Sequence, residues 1–263
     1  MKLPHEDAGR AQVQASLGAK LAEMGQLLNL AFTVVPQGGF TVNRTRGLDR
    51  TVVHVSVGLF IKACKTYRSV ILLCQAGLTE DAFVVARGLF ETALAVFWIL
   101  KTASRRRAQM YLAHLSMRDR KIFLEWKRTK GIKRHATVRM MHVVDGQIAE
   151  STRILGQQSM AGLAEGYSGK SLKDTAKAVG LLPTYQIFYR HASGFGHGSD
   201  LFSHITYTQA GVPVLHLVPG PSDNLKRVMA MSYVFFRTLI QRLNDRFGLG
   251  HDAAIAATPK LIS

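Results

Sequence analysis

Cysteine is scarce in this 263-residue chain, and so is negative charge. The two cysteines, Cys64 and Cys74, stand ten residues apart in one helical pattern. At that separation they cannot bridge each other, and they match no metal-ligand spacing. This excludes a disulfide scaffold and implies a reducing compartment. Acids number 17 against 34 lysines and arginines, a net charge of +17. A polyanion, either nucleic acid or an acidic membrane surface, becomes the natural partner. No apolar run long enough to span a bilayer is free of charge. The nearest, AFVVARGLFETALAVFWIL at 82–100, has Arg87 and Glu91 near its middle. Each costs about 2.5 to 3.5 kcal/mol in hydrocarbon, and at four residues apart on a helix they can pair. The segment is therefore expected to be a buried helix of a soluble bundle, with no membrane partner. MKLPHEDAGRAQVQ at the start has no apolar stretch behind its lysine, so a cytoplasmic location is expected. Internal repeats, low-complexity runs and Pro/Ser linkers are also missing. A single helical domain over 1–263, with a flexible tail from about 249 to 263, is the simplest organisation.

What is present is helical periodicity. Apolar residues recur at spacings of three and four over 10–34, 51–76 and 79–102, and Thr79 with Glu80 and Asp81 suits a helix start. Ser104 caps a fourth helix to about 128, and 137–160 reads as a fifth. SLKD at 171–174 has capping-box spacing and opens a sixth. LLPT at 181–184 opens a seventh, with Pro183 blocking entry from upstream and Thr184 as cap. ITYTQAGVPVLHLVPGPS then places β-branched residues around a Gly-Val-Pro turn, which predicts a small β-hairpin after the seventh helix. A last helix covers about 222–247 and ends at Gly248. The predicted fold class is all-α, a multi-helix bundle carrying that hairpin.

The positive charge is concentrated. Residues 101–139 hold thirteen lysines and arginines against Asp119 and Glu125. Arg105, Arg106, Arg107, Lys127, Arg128, Lys130, Lys133 and Arg134 are candidate nucleic-acid contacts, with Tyr111 and Trp126 offering aromatic faces beside them. The alternative is a solvated helix face followed by a basic loop.

YRHASGFGHGSD, residues 189–200, holds the densest polar chemistry. On a helix from Thr184, residues Tyr185, Tyr189, Ser193 and His197 recur every four positions. Arg190 and His197, seven apart, project to the same side. Gly194 and Gly196 each cost about 1 kcal/mol inside a helix, which points to a helix end or a close backbone approach. GYSGKS at 166–171 imitates a phosphate loop but lacks the required upstream glycine, the position being Ala164, and no strand precedes it. Helix capping explains it better. His191, His197, Asp200, His204 and His216 lie close in sequence, yet no HExxH or cysteine pair accompanies them, so no metal or other cofactor is assigned.

Arg190, His191 and His197 resemble the Arg-x(4–6)-His motif of the HEPN helical superfamily at its longest spacing. The wider layout is similar to a bacterial helical family of unknown function over about residues 50–245. That family carries an Arg-x-x-x-Glu on a buried helix, matched by Arg87 and Glu91, and a later cluster matched by Tyr189, Ser193 and His197. The HEPN resemblance implies a metal-independent endoribonuclease, with a toxin or phage-defence setting and an antitoxin or defence-system protein as partner. It also implies RNA as substrate and a homodimer with two motifs face to face. Arg190 would then clamp phosphate, with His197 as general base or acid and His191 as a second proton-transfer group. A catalytically silent module that binds nucleic acid or protein is the alternative implication.

Overall fold

The computed structural model describes residues 6–35, 47–129, 134–196, 205–207, 209, 211–215 and 221–259. They are helical almost throughout and divide between two compact units. One comprises Met1–Arg46, Val57–Ala93 and Pro183–Ser263; the other comprises Gly47–Ser56 and Leu94–Leu182.

In the first unit, α1 (Glu6–Val34) packs along α10 (Asp223–Phe247). The stripe of α1 that is buried is Val13, Leu17, Leu21, Met24, Leu27, Leu28, Ala31 and Val34, steps of three and four, with Leu28 adjoining Leu27, that keep one face turned inward. α10 answers with Leu225, Val228, Met229, Phe236, Leu239, Ile240 and Leu243. Each such side chain contributes about 1.5 to 3 kcal/mol by leaving water. Its ends are fixed locally. Ser222 Oγ accepts from the Leu225 N–H at 3.0 Å, and Gly248 stops the helix at φ +63°, a left-handed conformation that favours glycine. α2 (Arg50–Gln75) adds Tyr67, which stacks on Phe236 at 4.2 Å.

The tail past Gly248 was expected to be loose. Instead Asp252–Ala256 forms a short helix, α11, with Ile255 fully buried. Arg237 Nε donates to Thr258 Oγ1 at 2.9 Å and the Tyr233 hydroxyl to the Pro259 carbonyl at 2.6 Å. These bonds hold the chain through residue 259.

In the second unit, α4 (Arg105–Arg128) and α5 (Arg134–Leu155) run antiparallel. Gln109 bonds Ser151 at 3.0 Å, Ser116 bonds Gln147 at 3.0 Å, and Arg120 pairs with Asp145 at 2.6 Å. Ser104 caps α4 as its sequence predicts, accepting from Arg107 N–H. The single helix expected over 137–160 is broken at Gly156, whose φ of +81° ends α5 before α6 (Gln157–Gly162) begins. Ala113, Leu155, Met160 and Leu163 form a small core there. Ser171 opens α7 (Leu172–Ala178): its hydroxyl accepts from the Asp174 N–H, as the expected cap requires, and donates to the Asp174 carboxylate.

Two expectations near the C-terminal third are corrected. Thr184 is no cap: it has helical φ and ψ and no side-chain cap bond, because α8 (Leu182–Thr184) already starts two residues earlier with Pro183 in its first turn. The small β-hairpin after the seventh helix is not an element of the fold, which is all-α. Extended pairing among the described residues amounts to three residues, Ile205–Tyr207, set antiparallel to Pro213–Leu215. An isolated ladder of that length is marginal, and Pro213 has no N–H to donate to it. The β-branched residues around 205–214 favour extended backbone without supplying a sheet to join.

α3 (Thr79–Thr102) is long and apolar enough to cross a membrane, but 72% of its most apolar stretch is buried within the chain. It is a core helix.

Candidate functional site

The site is assembled on α3. Phe83, Arg87, Phe90 and Glu91 lie at steps of four, three and one, so they share one side of the helix. Its aromatic half anchors the segment 185–196. Phe83 meets Phe188 at 5.9 Å, His191 at 5.1 Å and Phe195 at 4.9 Å between ring centres. Phe90 and Phe188 both reach Phe235 of α10. Phe188 is 3% exposed, so this aromatic contact fixes the segment's position.

The segment is not a uniform α-helix. Tyr185–Tyr189 is one turn of π-helix, closed by the Arg190 N–H donating to the Tyr185 carbonyl, and α9 (Arg190–Gly196) follows directly. Such a turn carries one surplus residue and is concentrated at functional sites. Here it widens the coil so that Tyr185 stacks on Tyr189 at 4.9 Å. Tyr189 is thereby aimed at the polar half of the α3 face.

There Tyr189 donates to Glu91 Oε1 at 3.0 Å, and Arg87 Nε donates to the same oxygen at 3.2 Å. The Arg87 guanidinium also lies over the Tyr189 ring, 4.8 Å from its centre. Arg87 and Glu91 side chains are 29% and 41% exposed. This is a water-edge cluster, not an ion pair sealed in the core. Burial, reinforced by the Glu91 charge, pushes the Tyr189 hydroxyl above its ordinary pKa, so it stays a neutral donor through the physiological range. Burial opposes the charge on Arg87, but Tyr189 and Glu91 outweigh it and hold the guanidinium more firmly protonated than usual. Ser193 Oγ donates to the Tyr189 carbonyl at 2.7 Å and so braces the turn from behind. At Gly196 a Cβ would lie 3.9 Å from Arg87 Nη1, so the backbone passes beside the guanidinium.

The structure thus joins Arg87, Glu91, Tyr189 and Ser193. Arg190 and His191 sit at the start of α9 with exposed side chains. Arg190 has no ion-pair partner among the described residues, and His191 stands edge-on to Phe83 and Phe195. His197 lies outside the described residues. Among those described, no three His, Cys, Asp or Glu side chains group as metal ligands.

The basic stretch is less uniform than its sequence. Arg107 Nη1 donates to the Trp98 carbonyl at 2.6 Å and its guanidinium covers the Trp98 ring, so it ties down the last turns of α3. Burial pulls its pKa down. Arg106 bonds Ser159 at 2.6 Å, Arg128 pairs with Glu125 at 3.0 Å, and Arg105 lies 3.9 Å from Asp49. Lys127 is exposed. Lys130 and Lys133 lie outside the described residues, as does the side chain of Arg134.

Sequence reasoning singles out Tyr185 and Tyr189 but misses the aromatic seat made by Phe83, Phe90 and Phe188. The signal was available in phenylalanines recurring at helical spacing on both segments. No curated protein and no solved structure matches this chain. The profile of DUF5677, a family of unknown function, matches residues 53–210 and so spans α3 and the segment seated on it.

Proposed function

The chain belongs to the DUF5677 family, and we propose that it is a HEPN-like, metal-independent endoribonuclease working through Arg190, His191 and His197. One observation carries the reading: a partly exposed Arg87–Glu91–Tyr189 cluster stands on an otherwise apolar helix, against a π-turn that leads directly into Arg190 and His191. A π-turn departs from the standard coil and is concentrated at functional sites, and a polar cluster at the water edge beside it supports a functional edge here.

Cleavage of RNA at this edge needs three services. The ribose 2′-hydroxyl loses its proton and its oxygen attacks phosphorus, and the bond to the 5′-oxygen breaks as that oxygen gains a proton. The products are a 2′,3′-cyclic phosphate and a 5′-hydroxyl. His197 serves as base or acid, with His191 as the second proton-transfer group, each a side chain able to exchange protons near neutral pH. Arg190 holds two phosphate oxygens in its planar fork. Arg87, Glu91 and Tyr189 are positioning residues that fix the segment bearing the others. Exposed cations of the 101–139 stretch gather the RNA, its affinity falling as salt rises. The HEPN resemblance adds a homodimer and a toxin or defence role restrained by a partner protein, and the two unbridged cysteines favour a cytoplasmic setting.

The test is pure protein incubated with total RNA in EDTA, beside Arg190→Ala, His191→Ala and His197→Ala. Cleavage leaving 2′,3′-cyclic phosphate ends, reduced about 10²-fold or more in Arg190→Ala and His197→Ala, is the expected result. RNA bound but left intact by the unaltered chain would overturn the nuclease reading in favour of a silent binding module.

A further inference from the structure

We infer that Tyr185 is a stacking platform for a nucleobase of single-stranded RNA, with Arg190 on the phosphate of the same nucleotide. The inference deepens the ribonuclease reading and rests on it for the choice of RNA as the strand. Tyr185 opens the π-turn, where the Arg190 N–H donates to its carbonyl. On an α-helix each residue advances about 100°, so residues five apart are turned about 140° from each other. Closure from residue 185 to residue 190 removes that offset and sets Arg190 above Tyr185 on one side of the coil. One turn measures about 5 Å along the axis, close to the span from a base to the phosphate on its own ribose. The ring itself is backed. Tyr185 and Tyr189 stack with centres 4.9 Å apart and planes 16° from parallel. Tyr189 is fixed in turn by Arg87, 4.8 Å from its ring centre, and by its bond to Glu91. Tyr185 has no such commitments. Among the described residues its hydroxyl makes no hydrogen bond, and Tyr189 is the one ring that meets it. Arg190 is exposed and, among the same residues, unpaired.

A flat ring one turn from a free guanidinium selects a flat group joined to an anion. A ring backed by one neighbour takes a second flat group on its opposite face, and every nucleobase offers one. The guanidinium fork then holds two oxygens of the phosphate. Paired strands keep their bases stacked on one another, so an unpaired nucleotide is the one that can give a face to Tyr185. A lipid headgroup or a free phosphate would engage Arg190 alone and leave the ring without a role.

The test uses the full chain in EDTA and a labelled single strand of about 12 nucleotides with 2′-O-methyl riboses, which can bind but cannot be cut. In fluorescence anisotropy Tyr185→Ala should weaken binding about fivefold or more and Tyr185→Phe by less than about twofold. Ile187→Ala, at a side chain 75% exposed on the same turn, should change nothing. An abasic strand should bind the unaltered chain more weakly and be indifferent to Tyr185→Ala, whereas Arg190→Ala should weaken both strands. Tyr185→Leu keeps bulk against Tyr189 without a flat face; it should bind like the alanine variant while its circular dichroism matches the unaltered chain. A strand carrying 5-iodouracil should photo-crosslink to Tyr185, a readout that needs no variant. Full affinity in Tyr185→Ala, an equal loss on the abasic strand, tighter binding of the duplex, or no adduct at Tyr185 would each overturn the inference. Failures of the two readings look different. Binding that depends on Tyr185 without any cleavage of total RNA removes the nuclease and keeps the platform, and cleavage indifferent to Tyr185→Ala does the reverse.

Discussion

Replacing Glu91 with alanine separates a positioning cluster from a structural ion pair. The substitution removes two bonds to one oxygen, from Arg87 at 3.2 Å and from Tyr189 at 3.0 Å. Solvent reaches both partners of the ion pair, so its contribution is that of a surface i,i+4 pair, about 0.3 to 0.5 kcal/mol. The Tyr189 bond ends on a charged acceptor and contributes up to about 1.5 kcal/mol. Together the loss is about 1 to 2 kcal/mol, or roughly 2 to 8 °C in melting temperature for a chain of this size. Stranding one charge of a sealed pair would cost about 3 to 5 kcal/mol. Urea unfolding followed by circular dichroism distinguishes the two ranges. Glu91→Ala should stay folded within the smaller range and cut RNA at least tenfold more slowly. Glu91→Gln keeps an acceptor for Tyr189 and should recover most of both the stability and the rate. A loss above about 3 kcal/mol, or a chain that fails to fold, would refute the reasoning and return Glu91 to the core.

Two further outcomes follow from the geometry. Arg107→Ala removes the 2.6 Å bond to the Trp98 carbonyl and the cation over its ring, and should cost about 1.5 to 3 kcal/mol in urea unfolding, whereas Arg106→Ala, exposed, should cost less than about 1. Burial pushes the Cys64 and Cys74 thiols from 9.0 up to about 12, so at pH 8 the thiolate fraction falls from roughly one in ten to roughly one in ten thousand. Ellman's reagent should therefore find no rapidly reacting thiol in the native chain and two in guanidinium. Because the folded values are raised, both thiols favour the native state below pH 9, and that contribution is lost as pH climbs from 9 toward 12.

The helices were legible because their signals are local. Ser104, Ser171, Ser222 and Gly248 each act within four residues of their own position, and all four terminate or open helices where the sequence places them. Gly156 is not legible as a helix break, because a glycine within a periodic run reads as tolerated until its φ is known. The hairpin failed for the opposite reason: β-branched composition reports a preference for extended backbone, and whether a sheet forms depends on partners the composition does not supply. At the site, Arg87 with Glu91 is a spacing rule and was readable, as was the recurrence of Tyr189 and Ser193. The meeting of Tyr189 with Glu91, 98 residues apart, rests on tertiary contacts through Phe83, Phe90 and Phe188 that no local rule contains. Arg107 shows the converse error. In a run of three arginines nothing in the sequence tells which one faces inward.

The π-turn at 185–189 makes chain length itself a determinant of the cluster. Delete Gln186 or Ile187, and the coil can relax to ordinary α geometry, with Arg87, Glu91, Tyr189 and Ser193 all still present. The phenol of Tyr189 would then no longer fall over Glu91. A homologue shorter by a single position in this run would look intact in composition and yet lack the arrangement, so insertions and deletions there carry as much information about activity as substitutions do.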